Sequence, residues 1–220
     1  MSVTNTAFDC DCRLCPRLAG FLDEVRVLHP SYHARPVAPF GDPKAAFLVV
    51  GLAPGMHGAN RTGRPFTGDY AGVLLYEALY RAGFSNQAQG NEVNDGLVLS
   101  NCRISNAVKC LPPENKPTPA EMRLCNTFLA NELAAPAAPR VVLVLGKIAH
   151  DAVLLALGLK ASRFPFGHAN QAVLPDGRML ISSYHCSRYN TQTKRLTPEM
   201  FYAVMNQARA AVDALHSVEV

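Results

Sequence analysis

The stretch of residues 51–69 has the composition of a ligand-binding loop. Its five glycines let the backbone approach a ligand closely, and Arg61 and Arg64 carry guanidinium groups that suit phosphate. It lacks the Gly-Lys-Ser/Thr of a P-loop and the Gly-x-Gly-x-x-Gly of a dinucleotide site. Loops longer than about 15 residues are usually functional or disordered, and this composition argues against disorder. The sequence therefore predicts a functional loop that ends at the carboxylate of Asp69.

Seven cysteines are the second group of residues that can do chemistry. Their number is odd and the chain begins without a basic, apolar export signal, which indicates a reducing compartment. Clustered cysteines there more often bind metal or catalyse than form disulfides. Two pairs have suitable spacing, Cys12-x2-Cys15 and Cys110-x14-Cys125, and Cys10 is an alternative ligand. Four thiolates can hold an iron–sulfur cluster or Zn²⁺, and spacing alone does not separate the two.

Alternating strands and helices must position these residues. Apolar runs predict buried strands at 46–50, 141–145 and 179–183, with a further strand within 97–108. Helical spacing and start signals predict helices at 69–82, from Thr118, near 147–157 and from Thr197. At least three strands are apolar on both faces, which is typical of a parallel sheet covered by helices on both sides. The sequence predicts an α/β fold with three layers, α/β/α, around a mainly parallel sheet.

The predicted sheet brings the reactive segments together. In sheets of this kind ligands bind outside the carboxyl ends of the strands. The loops that follow Val50, Ile104 and Ser183 carry most of the polar side chains, and all of them leave that same edge. We therefore expect the segments 51–69, 106–117 and 182–193 to form one site.

These segments resemble the family 5 (type B) uracil-DNA glycosylases, a branch of the uracil-DNA glycosylase superfamily. The matching motifs are Gly-Leu-Ala-Pro-Gly at 51–55, Arg-Pro-Phe-Thr-Gly-Asp at 64–69, Asn-x-Val-Lys-Cys-x-Pro-Pro at 106–113 and Tyr-His-x-Ser-Arg-x-Asn-Thr-Gln-Thr at 184–193. The likeness extends over residues 12–197. One position departs from it, because Cys186 stands where the family has a proline.

The resemblance implies an enzyme that hydrolyses the N-glycosidic bond of uracil in DNA after flipping the base out of the stack. Asp69 would position water and stabilise the oxocarbenium-like sugar, and His185 would donate a hydrogen bond to the departing base. Residues implied to bind the base are Gly51, Ala53, Phe66 and Asn106. Residues implied to contact DNA are Arg61, Arg64, Ser187 and Arg188.

The resemblance also implies a cofactor and a substrate range. Cys12, Cys15, Cys110 and Cys125 match the positions that hold a [4Fe-4S] cluster, with zinc as the alternative. The partner would be double-stranded or single-stranded DNA that contains deaminated bases. Family membership and the absence of a polar group at Ala53 suggest that hypoxanthine is accepted besides uracil.

Each key residue also has a purely structural explanation. Asp69 precedes a predicted helix, where aspartate is a favoured N-cap. His185 can be a histidine of the core whose hydrogen bonds are satisfied. Phe66 can anchor the loop to the core, and Asn106 can close a turn. A non-catalytic nucleic-acid-binding protein with a structural four-cysteine site is the alternative function. A nucleotide hydrolase with a zinc site is disfavoured, because no clustered carboxylate motif is present.

Composition limits the class of protein. Of 220 residues, 49% are apolar and 17% are charged, which excludes disorder. The net charge of +4 permits a polyanionic partner without requiring one. Apolar runs fall far short of the roughly 18 residues that span a bilayer. We expect a soluble, cytoplasmic monomer with no membrane contact. We also expect one domain over 1–220, whose N-terminal cysteine segment at about 10–20 is tied to the middle loop.

Overall fold

A computed structural model describes residues 8–135 and 137–216 of the chain. Within them six strands form one sheet: β1 (Phe40–Gly41), β2 (Phe47–Gly51), β3 (Cys102–Asn106), β4 (Val141–Leu145), β5 (Gln171–Val173) and β6 (Met179–Ser183). Their order is β1-β3-β2-β4-β6-β5. The four central strands are parallel, and the short edge strands β1 and β5 pair antiparallel to their neighbours. The mainly parallel sheet predicted from the sequence is confirmed.

The helices of the described residues are α1 (Pro16–Leu28), α2 (Ala59–Thr62), α3 (Tyr70–Arg81), α4 (Pro119–Ala134), α5 (Lys147–Ala156), α6 (Arg188–Gln192) and α7 (Pro198–His216). The predicted capping box at the start of α4 is present, because the Thr118 side chain accepts from the Glu121 amide and the Glu121 carboxylate accepts from the Thr118 amide. The sequence analysis predicted α3, α4, α5 and α7, but not α1, α6 or the short α2, which lies within the predicted 51–69 loop.

Helices cover both faces of the sheet. On β2, Phe47 and Val49 share an apolar cluster with residues of α3 and α7, whereas Leu48 and Val50 share one with residues of α4 and α5. This alternation follows from the two-residue repeat of a strand, and it explains why β2 and β4 are apolar throughout. The three-layer α/β/α architecture is confirmed.

Helix α1 lies outside these two layers. Its residues Leu18, Leu22 and Val25 are buried in a third apolar cluster, together with Phe128 of α4 and Leu111 from the loop after β3. The N-terminal part of the chain is therefore packed against the loop that leaves the carboxyl end of the sheet. In the part of the chain that the structure describes, no helix combines the length and apolar character required to cross a bilayer.

Candidate active site

The carboxyl ends of β2, β3 and β6 surround a cavity of ≈ 290 Å³. It is lined by Leu52, Ala53, Gly55, Ala59, Phe66, Asp69, Ala71, Asn106, Asn115, His185 and Ser187. Gly51 and Asn106 are direct partners in the β2–β3 register. Their loops continue side by side, because the Ala107 amide donates to the Gly51 carbonyl oxygen. The fold thus brings together the loops that the sequence analysis placed at one edge.

Gly51 lies behind the Phe66 ring and the Asn106 side chain and does not itself line the cavity. A methyl group at Gly51 would lie 2.6 Å from both the Asn106 Oδ1 atom and the Phe66 Cζ atom. Only a residue without a side chain therefore lets the Asn106 amide and the Phe66 ring pack together against the end of β2. Phe66 and Asn106 are both buried.

The Phe66 ring faces the imidazole of His185. The two ring centroids are 6.0 Å apart and the ring planes differ by 27°. Burial lowers the pKa of His185 to about 4, because removal from water disfavours the charged imidazolium. At neutral pH the ring is therefore uncharged and can donate a single N–H to a ligand. Its backbone carbonyl accepts a hydrogen bond of 2.8 Å from the Asn190 side chain, which ties this loop to α6.

Asp69 combines the two roles that the sequence left open. Its Oδ1 atom accepts a 3.0 Å hydrogen bond from the Gly72 amide and caps α3. Its Oδ2 atom lies against the backbone of Gly55 and Gly58, and a methyl group at Gly58 would collide with it. Burial raises the pKa of Asp69, and hydrogen bonds from backbone amides oppose that rise. One oxygen is thus used for capping, while the residue also lines the cavity.

An open groove of ≈ 820 Å³ adjoins the cavity and shares Asp69 with it. Arg61 lines this groove from α2, and Arg188 lines it from α6. The guanidinium group of Arg188 lies 5.2 Å from the centroid of the Tyr70 ring, and Arg188 begins α6. The Ser187 side chain caps that helix by accepting from the Asn190 amide. The two arginines therefore border the entrance of the cavity.

The four predicted metal ligands lie around a second, smaller cavity. Cys12 and Cys15 precede α1, Cys110 follows β3 and Cys125 lies on α4. Among the described residues no three of these sulfur atoms lie within 4.8 Å of one another. Burial first, and the neighbouring thiols second, raise the pKa of Cys15 to about 11 and that of Cys110 to about 12.

One of these sulfur atoms also accepts a hydrogen bond. The Lys109 amide donates to the Cys125 Sγ atom over 3.2 Å. Cys10 is exposed and does not line this cavity, so its place in the fold does not favour it as the alternative ligand.

Comparison with known proteins agrees with this arrangement. A sequence profile of the uracil DNA glycosylase superfamily matches residues 38–209. The chain belongs to this superfamily. It is 49% identical over 203 residues to the type-5 uracil-DNA glycosylase of Thermus thermophilus, covering 90% of this chain and 92% of that protein.

Two further relatives with the same description support the type-5 branch. The type-5 uracil-DNA glycosylase of Pyrobaculum aerophilum is 42% identical over 93% of this chain and 89% of its own length. That of Mycobacterium leprae is 41% identical over 90% of each chain. The family predicted from the motifs is confirmed, and so is the enzyme class, a glycosylase that hydrolyses N-glycosyl bonds.

One residue of this glycosylase lies elsewhere than expected. Arg64 was predicted to contact DNA, but its side chain is only 4% exposed. Its guanidinium group makes two hydrogen bonds to the Asp95 carboxylate, at 2.9 and 2.7 Å, and lies 5.0 Å from the Phe40 ring centroid. Arg64 is therefore not placed to contact a phosphate. The sequence analysis did not predict this ion pair, because Asp95 lies 31 residues after Arg64 in the chain.

One residue that lines the glycosylase cavity was not singled out from the sequence. Asn115 lies between Cys110 and Cys125, in a loop where Glu114 and Asn115 both have left-handed backbone angles, φ 54° and 58°. Asparagine tolerates this conformation better than most residues, so the Pro-Pro-Glu-Asn run was the available sign of a tight turn.

Proposed function

We propose that this protein excises uracil, and other deaminated bases such as hypoxanthine, from DNA by flipping the damaged nucleotide into the cavity at the carboxyl edge of the sheet. The observation that carries the proposal is the convergence of Phe66, Asp69, Asn106 and His185 on one cavity. The relatives that share most of the chain are described as uracil-DNA glycosylases, which supports the same substrate.

The base would be held by stacking and by edge contacts. The Phe66 ring offers an aromatic face, and the Asn106 amide at the end of β3 offers a donor and an acceptor to the base edge. Ala53 lines the cavity with a methyl group and presents no polar contact that discriminates one base from another. A pocket that depends on stacking more than on edge recognition suits hypoxanthine as well as uracil.

The glycosidic bond breaks with charge on both fragments. The sugar becomes oxocarbenium-like, and the Asp69 carboxylate offsets this positive charge and orients the water whose oxygen bonds to C1′. The departing base takes the bonding electron pair, and the proton that the water loses as its oxygen bonds to C1′ ends on the base. The neutral His185 ring donates its N–H to the base oxygen on which negative charge collects. Neutral histidine is suited to this role, because it donates a hydrogen bond without needing a proton from solvent.

DNA would approach over the groove beside the cavity. Arg61 of α2 and Arg188 of α6 border that groove, and guanidinium groups suit phosphate contacts. Ser187 lies between the groove and the cavity, where it also caps α6. The proposed partners are double-stranded and single-stranded DNA that contain deaminated bases.

We further propose that Cys12, Cys15, Cys110 and Cys125 hold a [4Fe-4S] cluster. All four line one small cavity, and four thiolates can hold either such a cluster or zinc. The cluster is proposed over zinc because the four positions match those implied by the family resemblance. When bound, such a group supplies structural cross-linking. It would join the segment before α1 to the loop that carries Asn115.

A cleavage assay tests the proposed function. Labelled duplexes that contain a single uracil, a single hypoxanthine or only normal bases are incubated with the protein and then treated with alkali, which breaks the strand at abasic sites. We expect strand breaks at uracil and hypoxanthine and none at thymine. Tight binding of uracil DNA without any release of base would instead support the non-catalytic alternative.

A further inference from the structure

Phe66 has a backbone conformation that its residue type disfavours. Its φ angle is +54°, in the left-handed region, where a bulky aromatic residue is a genuine outlier. Such a conformation persists only where the surrounding contacts over-determine it. The carbonyl oxygen of Phe66 is also packed so closely against Gly72 that a methyl group there would collide with it. Neighbouring groups must therefore hold this residue in place.

Both peptide neighbours of Phe66 are held by a buried polar network. The Tyr76 hydroxyl donates a 2.7 Å hydrogen bond to the Pro65 carbonyl oxygen and lies 3.2 Å from the Thr67 hydroxyl. The Arg64 Nε atom donates to the same Thr67 hydroxyl over 2.7 Å. Tyr76, Arg64 and Thr67 are all buried. The residues on either side of Phe66 are thus fixed by side chains from α3 and from the loop itself.

The network continues to the wall of the groove. The Asp95 carboxylate pairs with Arg64 and also accepts hydrogen bonds from three backbone amides of its own loop, those of Asn91, Glu92 and Leu97. Asn91 and Glu92 line the groove beside Asp69. One set of contacts therefore fixes both the backbone of Phe66 and the loop that borders the groove.

We propose, on the basis of the role proposed above for Phe66, that Tyr76, Thr67 and the Arg64–Asp95 pair are positioning residues that hold Phe66 in its left-handed conformation and so direct its ring to the flipped base. In this conformation the Phe66 ring faces the His185 ring and packs against Gly51 at the end of β2. Loss of the network would let the backbone relax and withdraw the ring from the cavity.

Tyr76→Phe is the sharpest test, because it removes one oxygen atom and leaves the buried ring in place. Substitution of Arg64 would instead leave the Asp95 carboxylate without its positively charged partner. A loss of activity could then come from lower stability of the fold as well as from a displaced Phe66 ring. We expect Tyr76→Phe to lower kcat/KM on uracil DNA by about tenfold, the effect of one lost buried hydrogen bond on ring placement. Tyr80→Phe is the matched control, since Tyr80 lies on the same helix and is half exposed. It should keep full activity.

A double-mutant cycle separates positioning from stability. If Tyr76 acts through the Phe66 ring, Tyr76→Phe should change kcat/KM by less than about twofold once Phe66→Ala is present. A general loss of stability would lower activity in both backgrounds. Equal losses in the two backgrounds overturn the proposal. Thr67→Val, which also removes a hydroxyl from the network, should behave as Tyr76→Phe does.

A fluorescence measurement tests the network without relying on activity. The chain contains no tryptophan, so Phe66→Trp places a single reporter at this site. Adding Tyr76→Phe should shift its emission to longer wavelength and increase its quenching by acrylamide, whereas adding Tyr80→Phe should not. Unchanged emission overturns the proposal. A wild-type protein that releases no uracil would contradict the proposed function instead, and the fluorescence result would still decide the network.

Discussion

At the scale of single residues, the candidate site depends on side chains that serve the fold and the chemistry together. Asp69 caps α3 with one oxygen and lines the cavity with the same carboxylate. His185 is kept neutral by the burial that also packs its ring against Phe66. Because each role uses a different atom or property of the side chain, conservative substitutions can separate them.

Asp69→Asn separates catalysis from helix capping. Asparagine caps a helix about as well as aspartate, so the free energy of unfolding should change by less than about 0.5 kcal/mol. The loss of negative charge near the sugar should lower kcat by about 100-fold or more, with little change in duplex affinity. Single-turnover kinetics and urea unfolding measure the two effects. Asp42→Asn is the control, since Asp42 is an exposed turn residue before β2. Near-normal turnover of Asp69→Asn would contradict the catalytic assignment.

His185 should make stability depend on pH in a defined window. Its pKa is about 4 in the folded protein and about 6.5 in the unfolded chain. Above pH 6.5 the ring is neutral in both states, and its contribution is fully present. Between pH 6.5 and 4 only the unfolded state takes up the proton, so stability is lost as pH falls. Urea unfolding from pH 7.5 to 4 should show a smaller loss for His185→Gln than for wild type. Equal slopes would contradict the lowered pKa.

At the scale of elements, the proposed cluster would join α1 to α4. Cys15 immediately precedes α1 and Cys125 lies within α4. The Arg17 guanidinium adds a two-hydrogen-bond contact to the Glu121 carboxylate, at 2.8 and 2.7 Å, between the same two helices. The loop that carries Asn115 runs between Cys110 and this helix pair. The cysteine cavity therefore lies where the loop that carries Asn115 meets this helix pair.

Cys125→Ser tests the proposed cluster at this junction. We expect the purified wild-type protein to be brown, with about four irons per chain. Cys125→Ser should lose iron and visible absorption. Its solubility and its midpoint of thermal unfolding should decrease more than the specific activity of the protein that remains soluble. Cys10→Ser should keep both colour and iron, because Cys10 lies outside the cavity. A colourless wild-type protein with stoichiometric zinc would reverse the assignment and leave the fold unaffected.

At the scale of the whole molecule, the proposed base flipping makes substrate choice depend on how easily the base leaves the duplex. The cavity lies at the carboxyl edge of the sheet and shares Asp69 with the groove, so in this proposal the base enters it after rotating out of the stack. Extrusion costs least for a mispaired base. We therefore expect recognition to combine the weakness of the base pair with the fit of the base between Phe66 and Asn106.

We expect uracil opposite guanine to be excised faster than uracil opposite adenine. The U·G mispair costs less to open, whereas the pocket makes the same contacts in both cases. Single-turnover rates on two duplexes with identical flanking sequence measure the difference. Single-stranded DNA, in which the uracil is unpaired, serves as the reference. Equal rates on both duplexes would indicate that base flipping does not limit excision.

Several features of this protein could be predicted from the sequence because they depend on neighbours within a few residues. The apolar runs of β2, β4 and β6 match strands buried on both faces, and Thr118 to Glu121 form the predicted capping box. Helix α1 was missed although Pro16 stands at its first position, because its N-cap, Cys15, makes no side-chain cap bond. Strand β1 has two residues, too few for any periodicity.

Other features depend on contacts between residues that are far apart in the chain, and only the tertiary structure decided them. The motifs determined the family, the edge of the sheet that carries the site and most of the residues that line the cavity. They could not show that Arg64 is buried against Asp95 or that Asn115 lines the cavity. Nor could they show that the Asp69 carboxylate caps α3 and lines the cavity at the same time. Local composition fixes what a side chain is able to do, whereas burial and partners arise only when distant loops pack together.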